Sequence, residues 1–134
     1  MRTIKFRGKS INKGKWLFGD LMHDNIGGIY IYPIETENLY KENAVTIGTI
    51  GQYTGLKDKN GVEIYEGDII CGKKIDCRAV LHKVEYNDEN AMFTAKPIQG
   101  WDFDFCQIRK DWILKYEKEV IGNIYDNPEL LKIE

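Results

Sequence analysis

A mainly β fold of short, tightly turned strands, finished by a short C-terminal helix, is what this sequence predicts. Three observations predict it. Short runs of branched and aromatic residues alternate with polar ones along much of the chain. Glycine- and asparagine-containing turn signals punctuate those runs, and three of them fall within residues 47–71, IGTIGQYTGLKDKNGVEIYEGDIIC. Near the end, Asn127-Pro128-Glu129 reads as a helix start.

The elements follow in order. Residues 3–8, TIKFRG, place Ile4 and Phe6 on one strand face and Thr3, Lys5 and Arg7 on the other. Asn12-Lys13-Gly14 turns the chain into a second strand over residues 15–22, where Trp16 and Phe18 share a face. Gly27-Gly28 turns it again, into a short strand over residues 29–32 closed by Pro33. Residues 1–34 are therefore a three-strand meander. Residues 35–44, ETENLYKENA, are polar and aperiodic, a loop or one short helical turn.

The run at residues 45–53 alternates as a strand, Thr54-Gly55 breaks it, and Leu56 is a lone apolar anchor. Residues 57–61 form a turn in which Asn60-Gly61 tolerates left-handed backbone. A very short strand at residues 62–65 leads to the turn Glu66-Gly67-Asp68 and a further strand. The Asp68 carboxylate is placed to accept backbone N–H groups of that turn. Residues 78–86 and 91–96 read as a hairpin around the turn at 87–90. Residues 101–105, WDFDF, alternate aromatic and acid. Residues 107–116 fit either a short helix, because Ile108, Trp112 and Tyr116 are spaced by four, or a continued strand. A late strand at 119–125 precedes a short helix at 127–132, with Asn127 at its N-cap and Pro128 at its first position.

The bulk properties exclude several classes. A chain of 134 residues has the size of one domain and can bury a core without staples. Its net charge of -2 gives no global attraction to nucleic acid or to a membrane. No apolar run approaches the ~20 residues of a membrane span, and the N-terminus lacks a signal-peptide core, so a cytoplasmic location is expected. Cys71, Cys77 and Cys106 are an odd set in an unexported chain and are expected as free structural thiols. A zinc site would need closer Cys spacing and a second pair, and the chain supplies neither.

The segment GQYTGLKDKNGVEIYEGDII closely resembles the hallmark of the YopX family of phage and prophage proteins. IKFRGKSINKGKWLFGDL is similar to that family's opening strand, turn and strand, and EVIGNIYDNPELL to its closing strand and short helix. The resemblance runs from residue 4 to residue 131 and is weakest over residues 71–118. It implies coiled β-sheets containing an SH3-like barrel, homo-oligomers in a bacterial host, and no known catalytic residue. With it, the chain is expected as one YopX-like domain over 1–134: the meander at 1–34, a barrel-like remainder at 45–126 and the terminal helix at 127–132.

The candidate chemistry is thin. Asp58-Lys59-Asn60-Gly61 suggests a calcium loop, but setting Gly61 at position 6 puts Leu56 and Gly67 where the first and last ligands belong. Turn geometry is the better reading. Asp102 and Asp104 share a strand face and could hold a cation, yet they alternate with aromatics that need burial, which suits a half-buried edge strand. His23 and His82 stand in separate segments, and no G-x-S-x-G elbow, Walker loop or dinucleotide fingerprint occurs. A spatial Cys–His pair stays open.

The strongest binding candidate is the basic start. Arg2, Lys5, Arg7, Lys9, Lys13 and Lys15 all precede the first acid, Asp20. Lys5, Arg7, Lys13, Lys15 and Trp16 form the candidate nucleic-acid surface, since a basic strip beside aromatics suits single strands. The plainer reading is a solvated face over core aromatics. Gly55, Asn60, Gly61, Gly67 and Asp68 are assigned to turn geometry. The expected function is therefore non-enzymatic, with no cofactor and no metal. It acts through homo-oligomerisation and contact with host or phage protein, without a membrane partner, and with single-stranded nucleic acid as the alternative ligand.

Overall fold

In a computed structural model the described residues are 1–33, 43–76, 79–98 and 106–132. Among the described residues, ten strands and one short α-helix make the fold mainly β. The strands are β1 (Phe6–Lys9), β2 (Trp16–His23), β3 (Ile29–Tyr32), β4 (Gly51–Lys57), β5 (Glu63–Tyr65), β6 (Asp68–Asp76), β7 (Ala79–Asn87), β8 (Met92–Pro97), β9 (Cys106–Gln107) and β10 (Glu119–Asn123), with α1 (Lys110–Lys115) between β9 and β10. They form two antiparallel five-stranded sheets, ordered β3-β2-β1-β4-β5 and β10-β6-β7-β8-β9. Among the described residues neither sheet closes on itself, so the expected SH3-like barrel is not among the observed pairings. The chain divides into two compact units, Met1–Tyr53 and Thr54–Glu134.

The first unit is the meander, and it curls. Residues 44 and 45 bridge to Tyr30 and Ser10. The Val45 N–H donates to the Ile29 carbonyl (3.0 Å) and the Thr46 N–H to the Lys9 carbonyl (2.9 Å), which ties the end of β1 to β3. Ile31 and Val45, 0% and 2% exposed, are the centre of this curl. Gly8 lets Val45 pack closely there, since a Cβ at that position would stand a tight 3.0 Å from the Val45 Cβ.

The expected strand at 45–53 begins late. Ile47–Thr49 form a 3-10 turn instead, stabilised by the Thr49 hydroxyl on the Thr46 carbonyl (2.6 Å). Local hydroxyl bonding to backbone competes with a ladder, and Gly48 adds nothing to pack against a neighbour. Thr54-Gly55 does not break the strand either. β4 runs on to Lys57 with Gly55 at φ 88 inside it, and the Thr54 hydroxyl donates to the Ile64 carbonyl (2.8 Å).

The second unit packs Ile64, Ile70, Val84, Ala95, Ile108 and Ile113 as its core, with Leu56, Phe93, Trp112 and Val120 around them. β7 and β8 pair from His82 opposite Pro97 to Asn87 opposite Met92, so the hairpin lies one residue further along than its pattern suggests. Of the two readings of residues 107–116, the helix is the one formed, and it buries Ile113. β10 pairs with β6 through a bulge between Val120 and Gly122. The terminal helix is a single 3-10 turn, Pro128–Leu131. Asn127 takes the N-cap position without a side-chain cap, because its Oδ1 accepts from the Asn123 N–H instead (3.2 Å).

Asp58 organises this unit more than its place in a turn suggests. It is 5% exposed. Its Oδ1 accepts from the N–H groups of Asn60 (2.8 Å) and Val62 (2.9 Å), and its Oδ2 from that of Val120 (2.9 Å). The carboxylate thus closes its own turn and fastens it to β10. Cys106 is disulfide-bonded, which corrects the expectation of free thiols throughout, while Cys71 is a half-buried free thiol. The acids Asp102 and Asp104, and Cys77, lie outside the described residues.

Candidate functional site

In the first unit antiparallel pairing decides which side chains share a face, because directly opposed residues project to the same side. Arg7 is opposite Phe18 and Lys9 opposite Trp16. Asp20 is opposite Tyr32 and Met22 opposite Tyr30. The Tyr53 N–H donates to the Lys5 carbonyl at 2.9 Å, continuing the β1–β4 register. One sheet face therefore carries Lys5 just before β1, Arg7 and Lys9 from β1, Trp16, Phe18, Asp20 and Met22 from β2, Tyr30 and Tyr32 from β3, and Tyr53 from β4.

The cations on this face lie on aromatic rings. The Arg7 guanidinium is 4.6 Å and the Lys9 ammonium 5.5 Å from the Trp16 centroid, and Lys5 is 5.3 Å from that of Tyr53. All three distances fall inside the ~6 Å reach of a cation–π contact. Tyr30 and Tyr32 stack at 6.2 Å. The Tyr30 hydroxyl donates to Asp24 Oδ2 (2.8 Å), while Asp24 Oδ1 accepts from the N–H groups of Ile26 and Gly28. Those backbone bonds, then the phenol, hold the Asp24 carboxyl below its usual range, and the same carboxylate pushes the Tyr30 phenol up.

Burial is graded across the face. Arg7 and Tyr53 are each 6% exposed, whereas Phe18 and Met22 stand 45% and 44% exposed. The face is sealed around Arg7 and open along β2. The structure thus brings together Lys5, Arg7 and Trp16 of the sequence candidates. Lys13 and Lys15 lie apart, in the exposed connection between β1 and β2, where their backbones bond to Ser10. Lys9 belongs to the cluster by simple period two. Tyr30, Tyr32 and Tyr53 join it through register, which no local pattern encodes.

The turn residues occupy special backbone. Gly55, Gly61 and Gly67 have φ of 88, 85 and 88. The Asn60 side chain donates to Glu119 Oε2 (3.2 Å), and buried Asp68 accepts the Tyr65 N–H on Oδ2 (2.8 Å).

In the second unit His82 and Lys118 are fully buried. His82 meets Trp112 edge-on at 5.4 Å, and the Lys118 ammonium lies 4.8 Å from the Trp112 centroid and 5.8 Å from that of Tyr116. Burial, and then the charge of Lys118, bring the His82 pKa down to about 4. A general base needs access to substrate and a pKa near the working pH, and His82 has neither. Cys71 pairs opposite Leu81, one position from the Ile70–His82 pair, so its side chain leaves the other face and forms no dyad with His82. Among the described residues no group of three or more His, Cys, Asp or Glu side chains gathers as a metal site. None of the described helices is long and apolar enough to cross a membrane.

Comparison with known proteins gives a family match over almost the whole chain. The model of the family described as YopX protein matches residues 5–132. Among solved structures, protein EF1440 from Enterococcus faecalis is 28% identical with a TM-score of 0.56, over 98% of this chain and 100% of that one. No curated protein matches.

Proposed function

We propose, for a chain that belongs to the YopX family, a binding and assembly role without chemistry of its own, exercised through the cation-lined aromatic face of the first unit. The observation that carries this reading is the exposure of Phe18 and Met22 beside half-buried Trp16, Tyr30 and Tyr32. Contiguous aromatic and methionine surface on a folded domain marks an interaction site, and such residues are enriched at interface cores. A second copy is the first partner. The face carries an exposed acid, Asp20, at one end of the β1–β2 pair and Lys9 at the other, so two copies about a two-fold axis can match acid to base. Host or phage protein in the cytoplasm of a bacterium carrying the virus is the wider partner class. The SH3-like barrel belongs to this proposal for the second unit, where the meander β6-β7-β8 supports it.

The test is mass in solution. Phe18→Ser with Met22→Ser removes exposed apolar surface at two positions outside the buried core. It should convert the assembled protein towards monomer by light scattering. An unchanged mass would remove the face from the interface.

Single-stranded nucleic acid is the second reading, favoured by the alignment of Lys5 and Lys9 with Trp16 on one strand face. The burial of Arg7 counts against it, since a guanidinium stacked on an indole at 6% exposure reaches phosphate poorly. Under this reading the protein binds an oligonucleotide in a salt-sensitive manner, and Lys5→Glu with Lys9→Glu abolishes that binding. Binding that is absent, or indifferent to salt, excludes it.

A further inference from the structure

Beside α1 the second unit has a groove of about 420 Å³ lined by Gln107, Arg109, Asp111, Trp112, Lys115 and Tyr116. That volume is within the roughly 300–1,000 Å³ of small-molecule sites. Its lining combines two aromatic rings with two cations and one acid. The acid is already engaged: Arg109 Nε and Nη2 donate to Asp111 Oδ1 and Oδ2, both at 3.1 Å. Both partners of that pair are well exposed, at 63% and 70%. Such a pair is weak and screened, so the guanidinium can turn to a better anion. Lys115 lies 5.3 Å from the Tyr116 centroid, next to the rings it would serve. Buried Lys118 packs over Trp112 and Tyr116 and is not part of the lining of the groove.

We propose that this groove binds a nucleotide unit. The base lies against Trp112 and Tyr116, and the phosphate lies between Lys115 and Arg109. Flat π-faces accept any base, while the cations select for the phosphate that a neutral aromatic lacks. A free mononucleotide and one residue of a single strand present the same chemistry. The residues involved are separate from the first-unit face, so this site stands or falls independently of the assembly reading.

The experiment is calorimetric titration of the full chain at low salt with AMP, adenosine, inorganic phosphate and an oligoadenylate of about ten nucleotides. AMP should bind saturably with a Kd below about 1 mM, and adenosine and phosphate at least about tenfold more weakly. Arg109→Ala with Lys115→Ala should weaken AMP binding at least about tenfold. These residues are exposed, so the circular dichroism spectrum should not change. Lys132→Ala, an exposed cation outside the groove, should leave AMP binding unaltered. Tighter binding of the oligonucleotide, lost in the Arg109/Lys115 variant, identifies a strand as the source, and equal or weaker binding identifies the free nucleotide. Three results would each overturn the proposal: no saturable binding of AMP or oligonucleotide, equal binding of phosphate alone, or binding that survives the groove substitutions. None of them bears on the oligomer, which the Phe18 and Met22 substitutions test.

Discussion

Acidification should weaken the second unit through His82, and the size of the effect follows from where that side chain sits. The ring is fully buried on β7, against the edge of Trp112, and neither ring nitrogen has a hydrogen-bond partner among the described residues. Burial first, and the Lys118 charge second, favour the neutral ring and lower the pKa to about 4 from 6.5. A histidine whose folded pKa is depressed takes up its proton more readily when unfolded. Its contribution is therefore complete above pH 6.5 and declines as pH falls from there towards 4. Linkage puts the loss at roughly 2 kcal/mol on going from about pH 7.5 to about pH 5, with a ceiling near 3 kcal/mol below pH 4.

Other carboxylates titrate over the same range, so the informative quantity is a difference. His82→Leu has similar volume and leaves no partner orphaned, so near neutral pH its stability should stay within about 1 kcal/mol of the parent. Urea unfolding of both proteins at the two pH values is the assay. The parent should lose roughly 2 kcal/mol more than the variant. Equal losses would refute the placement of a neutral imidazole in this core.

Three further substitutions probe the backbone. Asp58→Ala removes the acceptor for three N–H groups and should cost about 3 kcal/mol in urea unfolding, whereas an exposed turn aspartate would cost less than about 1. Gly61→Ala meets open space at φ +85, so only backbone strain remains, about 1 kcal/mol by the same assay. Gly19→Ala differs in kind. Its Cβ would stand 2.1 Å from the Tyr32 carbonyl oxygen, and backbone cannot step aside without opening the β2–β3 pair. A loss above about 3 kcal/mol is expected, with the Tyr32 and Pro33 amide environment disturbed in NMR spectra, and a loss as small as that of Gly61→Ala would contradict the β2–β3 register.

Legibility in the sequence followed the range of the interactions. Gly61 and Gly67 were readable because positive φ is a local demand that few other residues meet. The β2 and β3 strands were readable from period and turn alone. Residues 47–49 misled, because the branched pattern of a strand is also compatible with a turn once the Thr49 hydroxyl finds a nearby carbonyl. Gly55 misled in the opposite direction, since pairing on either side of one unusual φ keeps β4 continuous. Asp58 was read as a turn residue only, because the Val120 N–H that makes it structural is 62 positions away. The candidate face shows the same limit. Lys5, Arg7 and Trp16 lie close in sequence, but Tyr53 reaches Lys5 only through β1–β4 pairing. The family was legible from the run GQYTGLKDKNGVEIYEGDII, and the match over residues 5–132 shows it.

The central claim is that the open aromatic face of the first unit is used for association. Sedimentation equilibrium of the unmodified protein over a concentration series tests it most directly. A single chain weighs 15.6 kDa, and the account predicts a mass at a whole multiple of that value at concentrations up to roughly 100 µM. A mass of 15.6 kDa throughout the series, with Phe18 and Met22 left bare to solvent, would contradict it.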